Sequence, residues 1–257
     1  MAVKITLKEI ENTARQMGIE EALEFLTGCK EKQGLSVNRI IEKYRKKKEA
    51  YDQEVLRYHA MCSYEIKGYE DGVQFIAGID EVGRGPLAGP VVTAAVILPN
   101  NIFIPKLNDS KKLSAKLRDE LFEIIHEKAI AIGIGIRNEQ CIDEINILNA
   151  TKEAMKDAIY ALNPQPDLLL IDAVKLDDVK IKQKNIISGD ALSVSIAAAS
   201  IIAKVTRDRM IEEMEGLYPQ YGFAKHKGYG TREHIDAIKK YGICPIHRIS
   251  FTKNFTA

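Results

Sequence analysis

The sequence predicts an α/β fold: a mixed sheet flanked by helices, with a helical N-terminal extension and a C-terminal helical segment. From Val73 onward, short apolar runs typical of strands alternate with amphipathic segments typical of helices. Residues 1–72 are instead rich in Glu, Lys and Leu, without a strand-like apolar run. We therefore predict two domains, residues 1–72 and residues 73–257.

The composition suits a globular protein and excludes several other classes. With 257 residues, 46% of them hydrophobic, the chain can bury a substantial core. The net charge of +1 does not by itself indicate a nucleic-acid partner, although a basic face can lie opposite an acidic site. Four scattered cysteines without C-x-x-C spacing predict thiols rather than disulfides or a zinc site. Such thiols suit a reducing compartment, so we expect a cytoplasmic protein. No apolar run approaches the roughly 20 residues that cross a bilayer, so we expect no membrane partner.

Helix signals divide the N-terminal region into segments. Thr6 followed by Glu9 is a capping-box pattern, and Gly18 and Gly28 are expected helix stops. Ser36 precedes a long helical segment. The cationic cluster within that segment, at residues 44–48, is typical of a solvated helix face, but it also suits a grip on phosphates.

Residues 73–257 contain five candidate strands and four candidate helices. The strands are Gln74–Asp80, Val91–Leu98, Ile130–Arg137, Leu168–Ile171 and Lys184–Ile187. The helices are Ser114–Lys128, Ile142–Leu162, Ala191–Met214 and Thr231–Tyr241. Short connections favour an antiparallel meander of the first three strands, and the helix before the fourth favours a crossover into a parallel strand. The small residues at 195–203 predict a central helix packed closely on the sheet.

Acidic side chains follow two of the apolar strands and precede the Ala-rich helix. Asp80 and Glu81 end the first strand, which must stop or bulge there if both are to serve one site. Asp172 ends a buried strand, at the edge where open α/β sheets bind ligands, although it also suits a turn. The simplest role of Asp190 is a helix N-cap; alternatively, it points into the same cleft.

Four acids brought together would repel one another unless divalent cations neutralised them. Hard oxygen ligands favour Mg²⁺ or Mn²⁺ over zinc. Two such ions, about 4 Å apart, would clamp the attacking and leaving oxygens of a phosphodiester.

A glycine-rich loop and several cations accompany the acids. Glycines at Gly83 and Gly85 permit close approach of the backbone to a ligand, or form a tight turn between strands. Tyr229, held between glycines, suits stacking on a sugar or base, or packing on the core. The cations suited to phosphate contacts, each otherwise a surface charge, are Lys111, Lys112, Lys204 and Arg207, the last two on one helix face.

Together these motifs resemble those of the type 2 ribonucleases H, in particular bacterial ribonuclease HII. The resemblance covers about residues 73–251. It is carried by Gly78–Pro90, Asp109–Leu113, Ile171–Ala173, Gly189–Asp190, Ile196–Asp208 and His226–Thr231. Ribonuclease HIII is similar in its core but lacks the Gly-Arg-Gly form of the loop. The N-terminal helical region is absent from many relatives, so its part in holding substrate is a separate hypothesis.

The resemblance implies a ribonuclease H-like fold and an acidic, metal-binding and catalytic quartet of Asp80, Glu81, Asp172 and Asp190. It also implies that residues 83–85, Gly-Arg-Gly, read the ribose 2′-hydroxyl, with Tyr229 against the neighbouring sugar. The implied cofactors are Mn²⁺ or Mg²⁺, two ions during catalysis. The implied substrates are RNA/DNA hybrids and DNA duplexes with embedded ribonucleotides, cut on the 5′ side to leave 3′-hydroxyl and 5′-phosphate ends. We expect a monomer.

Three other classes of function remain open from the residues alone. A structure-selective DNA nuclease or strand-transferase also needs clustered acids and metal, but it has no use for the Gly-Arg-Gly loop. A non-catalytic nucleic-acid-binding module needs the cations but not four converging acids. A dinucleotide site is disfavoured because the glycine-rich loop leads into a strand and lacks G-x-G-x-x-G spacing.

Overall fold

The computed structural model describes residues 6–33 and 37–255. Its helices are α1 (Leu7–Arg15), α2 (Ile19–Gln33), α3 (Asn38–Met61), α4 (Ser63–Glu70), α5 (Ala115–Lys128), α6 (Glu139–Ile145), α7 (Ile147–Tyr160), α8 (Gly189–Leu192), α9 (Val194–Leu217), α10 (Phe223–His226), α11 (Arg232–Tyr241) and α12 (Ile249–Thr252). Its strands are β1 (Ile76–Val82), β2 (Val91–Ile97), β3 (Ala131–Arg137), β4 (Leu168–Asp172) and β5 (Lys182–Ile186). The chain forms two compact units, which divide in sequence between His59 and Ala60.

The smaller unit is helical, as the sequence predicts. Thr6 and Glu9 form the predicted capping box at the start of α1. The prediction that Gly28 stops a helix is wrong, because α2 continues to Gln33 and no atom lies near enough to Gly28 to demand a glycine. Ser36 lies outside the described residues. Apolar side chains of α1, α2 and α3, and of Val37 just before α3, share one core: Ile10, Ala14, Ala22, Leu26, Val37, Ile41 and Tyr44.

Two of the four cations in the α3 cluster form ion pairs. Lys48 lies 2.9 Å from Glu20 and 3.2 Å from Asp52, and Arg45 lies 3.1 Å from Glu42. These pairs are those of a solvated helix face.

Helix α4 belongs to the larger unit. The Glu65 carboxylate accepts hydrogen bonds from Ser193 Oγ at 2.5 Å and from the Ser195 N–H at 3.0 Å. It therefore ties α4 to the start of α9. The division between the units lies before α4, upstream of the predicted boundary at 72/73.

The larger unit is built on a five-stranded mixed sheet of order β3-β2-β1-β4-β5. Strands β1, β2 and β3 form the predicted antiparallel meander, and β4 and β5 run parallel to β1. This confirms the α/β class with a mixed sheet flanked by helices.

Helices α7 and α9 pack on opposite faces of the sheet. Ala77 and Ile79 of β1 share a core with Met155 and Ile159 of α7. On the other face a Cβ at Gly78 would lie 2.0 Å from the Ser195 carbonyl carbon, so only glycine lets α9 approach this closely. The predicted close packing of the Ala-rich helix is confirmed, and it buries the strand that leads to Asp80.

Two predicted helices are each interrupted once. Residues 142–162 divide at Asn146, which has φ of 66° and caps α7. Residues 191–214 divide at Ser193, whose hydroxyl accepts from the Ile196 N–H and caps α9. Of the two roles considered for Asp190, the N-cap of the Ala-rich helix is the wrong one, because Ser193 has that role and Asp190 lies in the short helix α8.

All four cysteines are free thiols, as predicted: Cys29, Cys62, Cys141 and Cys244. In the described ranges, no helix combines the length and apolar character that spanning a membrane requires.

Candidate active site

Three elements bring the four predicted acids to one edge of the sheet. Strands β1 and β4 are parallel neighbours, so Asp80 and Asp172 lie at the same edge. The Gly189 N–H, at the start of α8, donates to Asp172 Oδ1 at 2.9 Å. This bond brings Asp190 beside the strand ends.

Strand β1 does not stop at its acids. Asp80, Glu81 and Val82 continue in regular register with β2, so the predicted bulge or strand end at Asp80 is wrong. Pairing of β1 with β4 ends earlier, at Ile79. The two acids therefore extend past the last β1–β4 pair, and the Glu81 N–H donates to Asp80 Oδ1 at 2.8 Å. A bulge is not needed for both to share a site, because the charge of Asp172 acts on each of them in the regular strand.

Burial and repulsion make three of these carboxylates, Asp80, Glu81 and Asp190, costly to ionise. Burial raises the pKa of Asp80 well above its usual range, and the charges of Glu81 and Asp172 raise it further. Burial also raises the pKa of Glu81, opposed by the Arg84 cation and reinforced by Asp172. The pKa of Asp190 is raised by burial and by the neighbouring acids Asp109 and Asp172, against the Lys111 cation. Asp172 thus acts electrostatically on each of the other three acids.

The donor set fits a divalent cation by its chemistry. Glu81 Oε2 is buried without a hydrogen-bond partner, and carboxylate oxygens are the ligands that Mg²⁺ and Mn²⁺ prefer. Within residues 6–33 and 37–255, no three His, Cys, Asp or Glu side chains already surround a common point. A bound cation would supply the positive charge that this edge needs to keep its acids ionised.

Strained backbone flanks two of the acids. Ala173 has φ of 53° and Ser188 has φ of 57°, both in the left-handed region that non-glycine residues rarely occupy. They lie beside Asp172 and Asp190, whose segments the Gly189 N–H joins. Such strain persists only where the surrounding structure fixes it, and it clusters at functional sites.

The predicted Gly-Arg-Gly loop leaves β1 beside the acids. Gly83 has φ of 95°, and a Cβ there would lie 2.3 Å from Arg207 Nε, so glycine is required. Gly83 is buried, whereas Arg84 and Gly85 are exposed. Arg84 Nη1 lies 3.3 Å from Glu81 Oε1, which joins the loop to the acidic edge.

Tyr229 lies next to this loop and does not pack in the core. It is 41% exposed, and a Cβ built at Gly85 would lie 3.9 Å from its ring. Its backbone is fixed, because its N–H donates to the His226 carbonyl at 2.9 Å and its carbonyl oxygen lies 2.9 Å from His234 Nδ1. The ring is therefore presented to solvent at a defined position.

The predicted phosphate-binding cations have different surroundings. Lys111 Nζ lies 3.4 Å from Asp190 Oδ2, at the acidic edge, and Lys112 is exposed. Lys204 pairs with Asp208 at 2.8 Å. The prediction that Arg207 contacts phosphate is contradicted by its complete burial: in the described part of the chain its side chain donates to three carbonyls, those of Pro90, Ala88 and Lys227.

Two further residues at the site were missed from the sequence. Asp109 is buried and acts on Asp190, and the motif at residues 109–113 already contained this signal. Arg248 is buried and donates to carbonyls of the glycine-rich loop. No spacing or composition signal marks it, since it lies far along the chain from that loop.

The mixed sheet, the buried helix α9 and the acids at the strand ends define a nuclease of the ribonuclease H-like class. Comparison with known proteins agrees: the family model for Ribonuclease HII matches residues 77–254. The chain belongs to the ribonuclease HII family. It is an enzyme that hydrolyses phosphodiester bonds, with ribonuclease H activity on RNA/DNA hybrids.

Relatives and solved structures carry the same similarity across most of the chain. Ribonuclease HII of Acetivibrio thermocellus is 62% identical over 251 residues, which is 98% of each chain. Ribonuclease HII of Bacillus cytotoxicus is 52% identical over 248 residues, 96% of this chain and 95% of that protein. The crystal structure of ribonuclease H2 from Pyrococcus horikoshii OT3 matches with a TM-score of 0.61 and 26% identity, covering 71% of this chain and 97% of that one.

A second solved structure is similar to the same extent. The PCNA:RNase HII complex from Archaeoglobus fulgidus matches with a TM-score of 0.60 and 28% identity, covering 68% of this chain and 94% of that one. Both solved structures are almost fully covered while part of this chain is not.

Proposed function

We propose that this enzyme nicks DNA duplexes on the 5′ side of an embedded ribonucleotide, as well as cutting the RNA strand of hybrids, and leaves 3′-hydroxyl and 5′-phosphate ends. One observation carries the proposal: Asp172 acts electrostatically on three other acids at the ends of the strands, and the Gly-Arg-Gly loop, with Arg84 and Gly85 exposed, follows directly and contacts Glu81 through Arg84. The acids that would cut the strand therefore lie next to the loop that would recognise the sugar.

The acids would hold Mn²⁺ or Mg²⁺, two ions during catalysis. Asp80, Glu81, Asp172 and Asp190 supply the hard oxygen ligands, and buried Glu81 Oε2 is available as a donor. The ions would supply a hydroxide nucleophile and charge stabilisation at the phosphodiester. Arg84 and Lys111, each close to one of these carboxylates, would orient them.

The loop and Tyr229 would recognise the sugar. Within a duplex, the 2′-hydroxyl is the local feature that distinguishes RNA from DNA, and reading it needs a partner within hydrogen-bond reach. Exposed Arg84 and Gly85 offer backbone groups at such close range because Gly85 carries no side chain. The exposed ring of Tyr229, next to Gly85, would pack on the neighbouring sugar.

Cations around the site would hold the phosphate backbone. Lys111 is exposed and lies beside Asp190, Lys112 is also exposed, and Lys204 is half-buried on α9. In the smaller unit Lys46 and Lys47 are exposed on α3, which makes that unit a candidate aid to substrate binding. We further propose that the enzyme acts as a monomer in the cytoplasm.

A DNA duplex with a single ribonucleotide tests the proposal directly. The protein is incubated with this duplex and either Mn²⁺, Mg²⁺ or a chelator, and the cut position and end groups are mapped. We expect one nick on the 5′ side of the ribonucleotide with a 3′-hydroxyl, and no nick with chelator. An uncut duplex with every divalent ion, alongside cleavage of an all-RNA hybrid, would restrict the enzyme to hybrids.

A further inference from the structure

Arg248 is a completely buried arginine whose partners are backbone carbonyls. Its Nη2 donates to the Gly83 carbonyl at 2.5 Å, its Nη1 to the Arg84 carbonyl at 3.0 Å, and its Nε to the Gly89 carbonyl at 3.0 Å. Among the described residues no carboxylate lies within salt-bridge distance of it. Its guanidinium carbon also lies 5.1 Å from the centre of the Phe251 ring. A buried cation whose hydrogen bonds all go to the carbonyls of one loop points to a role in shaping that loop, because burying a charge is otherwise unfavourable.

The geometry of the peptide bond shows which groups this contact turns outward. In a trans peptide the carbonyl and the following N–H point in opposite directions. Arg248 holds the carbonyls of Gly83 and Arg84 towards the interior, so the N–H groups of Arg84 and Gly85 point away from it. In residues 37–255 neither N–H has a hydrogen-bond acceptor, and both residues are exposed. Two adjacent backbone donors are thus presented to solvent together.

The charge of Arg248 also acts through these peptides. Burial and the nearby Arg207 cation lower the pKa of Arg248 to about 9, so the guanidinium remains charged at neutral pH. Hydrogen bonds in series polarise one another, and a cation bound to a carbonyl makes the N–H of the same peptide a stronger donor. The two N–H groups therefore suit an oxygen acceptor.

A second buried arginine acts on the neighbouring part of the loop. Arg207 donates to the carbonyls of Pro90, Ala88 and Lys227. None of these carbonyls belongs to the peptides that present the Arg84 and Gly85 N–H groups. Arg207 thus offers a matched comparison: it is equally buried and equally bound to carbonyls, but it does not turn those two donors outward.

We propose that Arg248 is a positioning residue for ribonucleotide recognition, which fixes and polarises the Arg84 and Gly85 N–H donors so that they bind a ribose oxygen of the substrate. This inference rests on the proposed function, because it assumes that the loop reads the sugar. It assigns the selectivity for a ribonucleotide partly to a residue that touches no substrate.

Binding selectivity tests the inference separately from cleavage. In an Asp80→Asn background, the dissociation constants are measured for a duplex with one ribonucleotide and for the all-DNA duplex of the same sequence. Selectivity is the dissociation constant of the all-DNA duplex divided by that of the ribonucleotide duplex. With Arg248→Gln we expect this ratio to fall about fivefold to tenfold, which corresponds to the loss of one hydrogen bond. Binding of the all-DNA duplex should stay unchanged. Loss of folding alone would weaken both duplexes together.

Lysine and Arg207 variants complete the experiment. Arg248→Lys keeps the charge but lacks the planar fork that reaches three carbonyls, so we expect an intermediate ratio; if Arg248→Gln does not fold, this variant carries the test. Arg207→Gln, or Arg207→Lys if needed, is expected to lower thermal stability while keeping the wild-type ratio. An unchanged ratio in folded Arg248 variants, or an equal fall in the Arg207 variant, overturns the inference. An absence of ribonucleotide preference in the parent protein instead contradicts the proposed function.

Discussion

At the scale of single residues, the buried acids at the strand ends lower the stability of the fold at neutral pH. The pKa of Asp80 is raised by burial and by Glu81, which means that its ionised form is less favourable in the folded chain than in the unfolded one. This cost is absent at low pH, where the group is protonated in both states, and it grows as the pH rises above the unfolded value. Replacing the Asp80 carboxylate by a neutral group should therefore raise the free energy of unfolding at neutral pH.

We predict that Asp80→Asn raises the free energy of unfolding at pH 7 by about 1 kcal/mol in chelator, because one repelling, buried charge is removed. Thermal and urea unfolding measure this. Mn²⁺ should raise the melting temperature of the wild type more than that of the variant, since binding to the folded state stabilises it. Asp119→Asn is the matched control, because Asp119 is exposed and pairs only with Arg209; a less stable Asp80→Asn would contradict the assigned repulsion.

For Tyr229→Ala we predict weaker discrimination of single embedded ribonucleotides, because the exposed ring beside Gly85 would no longer pack on the sugar. Cleavage rates on a single-ribonucleotide duplex and on an all-RNA hybrid are compared, and the first should fall more. Tyr160→Ala, at a more exposed tyrosine at the end of α7, should leave the ratio unchanged. If the ratio of the two cleavage rates is the same in the Tyr229 variant and in the wild type, Tyr229 has no role in recognising the sugar.

Residue identities at the site were predictable where the chemistry demands them and not where packing decides. Asp80 and Asp172 stand out because an acid directly after an apolar strand needs an explanation. Arg207 was misassigned because an arginine on a helix looks the same in sequence whether it meets water or carbonyls. Arg248 carries no signal at all, since its partners become neighbours only through the fold.

At the scale of secondary-structure elements, the contact of α9 with β1 depends on the missing side chain of Gly78. We predict that Gly78→Ala lowers the free energy of unfolding by about 3 kcal/mol, because the added carbon would overlap the Ser195 backbone. Urea unfolding measures this. Gly216 lies in α9, and a Cβ added there would meet no atom within 4 Å, so Gly216→Ala should be neutral or stabilising. Equal effects of the two variants would contradict the close approach.

Buried histidines support the segment that carries Tyr229 and Arg248. His234 Nε2 lies 3.0 Å from His247 Nε2, and burial lowers the pKa of each to about 4. Because the folded pKa lies below the unfolded value of about 6.5, stability is complete above pH 6.5 and is lost as the pH falls towards 4. The uncharged pair is a structural requirement of this segment.

We predict that unfolding free energy falls by about 2–3 kcal/mol per histidine between pH 6.5 and 4. The variant His247→Gln should be less stable at pH 7.5 but lose less on acidification, as denaturant unfolding at several pH values would show. His59→Gln, at an exposed site on α3, should follow the wild-type curve. Parallel curves for the wild type and His247→Gln would contradict a buried neutral pair.

Element types and order were predictable, whereas their interruptions were not. The periodicity of residues 142–162 continues through the break at Asn146, because the side chains on both sides still face the core. The continuation of β1 through Val82 escaped prediction because its pairing with β2 alone sustains the strand after the pairing with β4 ends. Local pattern cannot reveal which neighbour supplies the hydrogen bonds.

At the scale of the whole molecule, the chain divides into two compact units. The larger unit contains the whole family match and all four acids. We predict that a chain of residues 60–257 folds and cleaves with a near-wild-type kcat, while its KM rises and depends less on salt, because exposed cations of α3 are lost. Steady-state kinetics at several salt concentrations measure this. An unchanged KM at all salt concentrations would remove the smaller unit from substrate binding.

Fold class and overall topology followed from the sequence because strand length, helix length and connection length are all local quantities. The division between the two units could not be predicted from the sequence, because α4 resembles the polar helices before it. The contact of Glu65 with the start of α9, which places α4 in the larger unit, forms only in the folded chain. A buried carboxylate capping another element is a tertiary fact without a local signature.

In the proposed function, four carboxylates form one catalytic site. Its most direct test is single-turnover nicking of a single-ribonucleotide duplex, with Mn²⁺, by four separate variants: Asp80→Asn, Glu81→Gln, Asp172→Asn and Asp190→Asn. Each should retain its fold by circular dichroism and lose nicking by about 100-fold or more, the scale of a removed transition-state charge contact. A folded variant that nicks at close to the wild-type rate would contradict the claim.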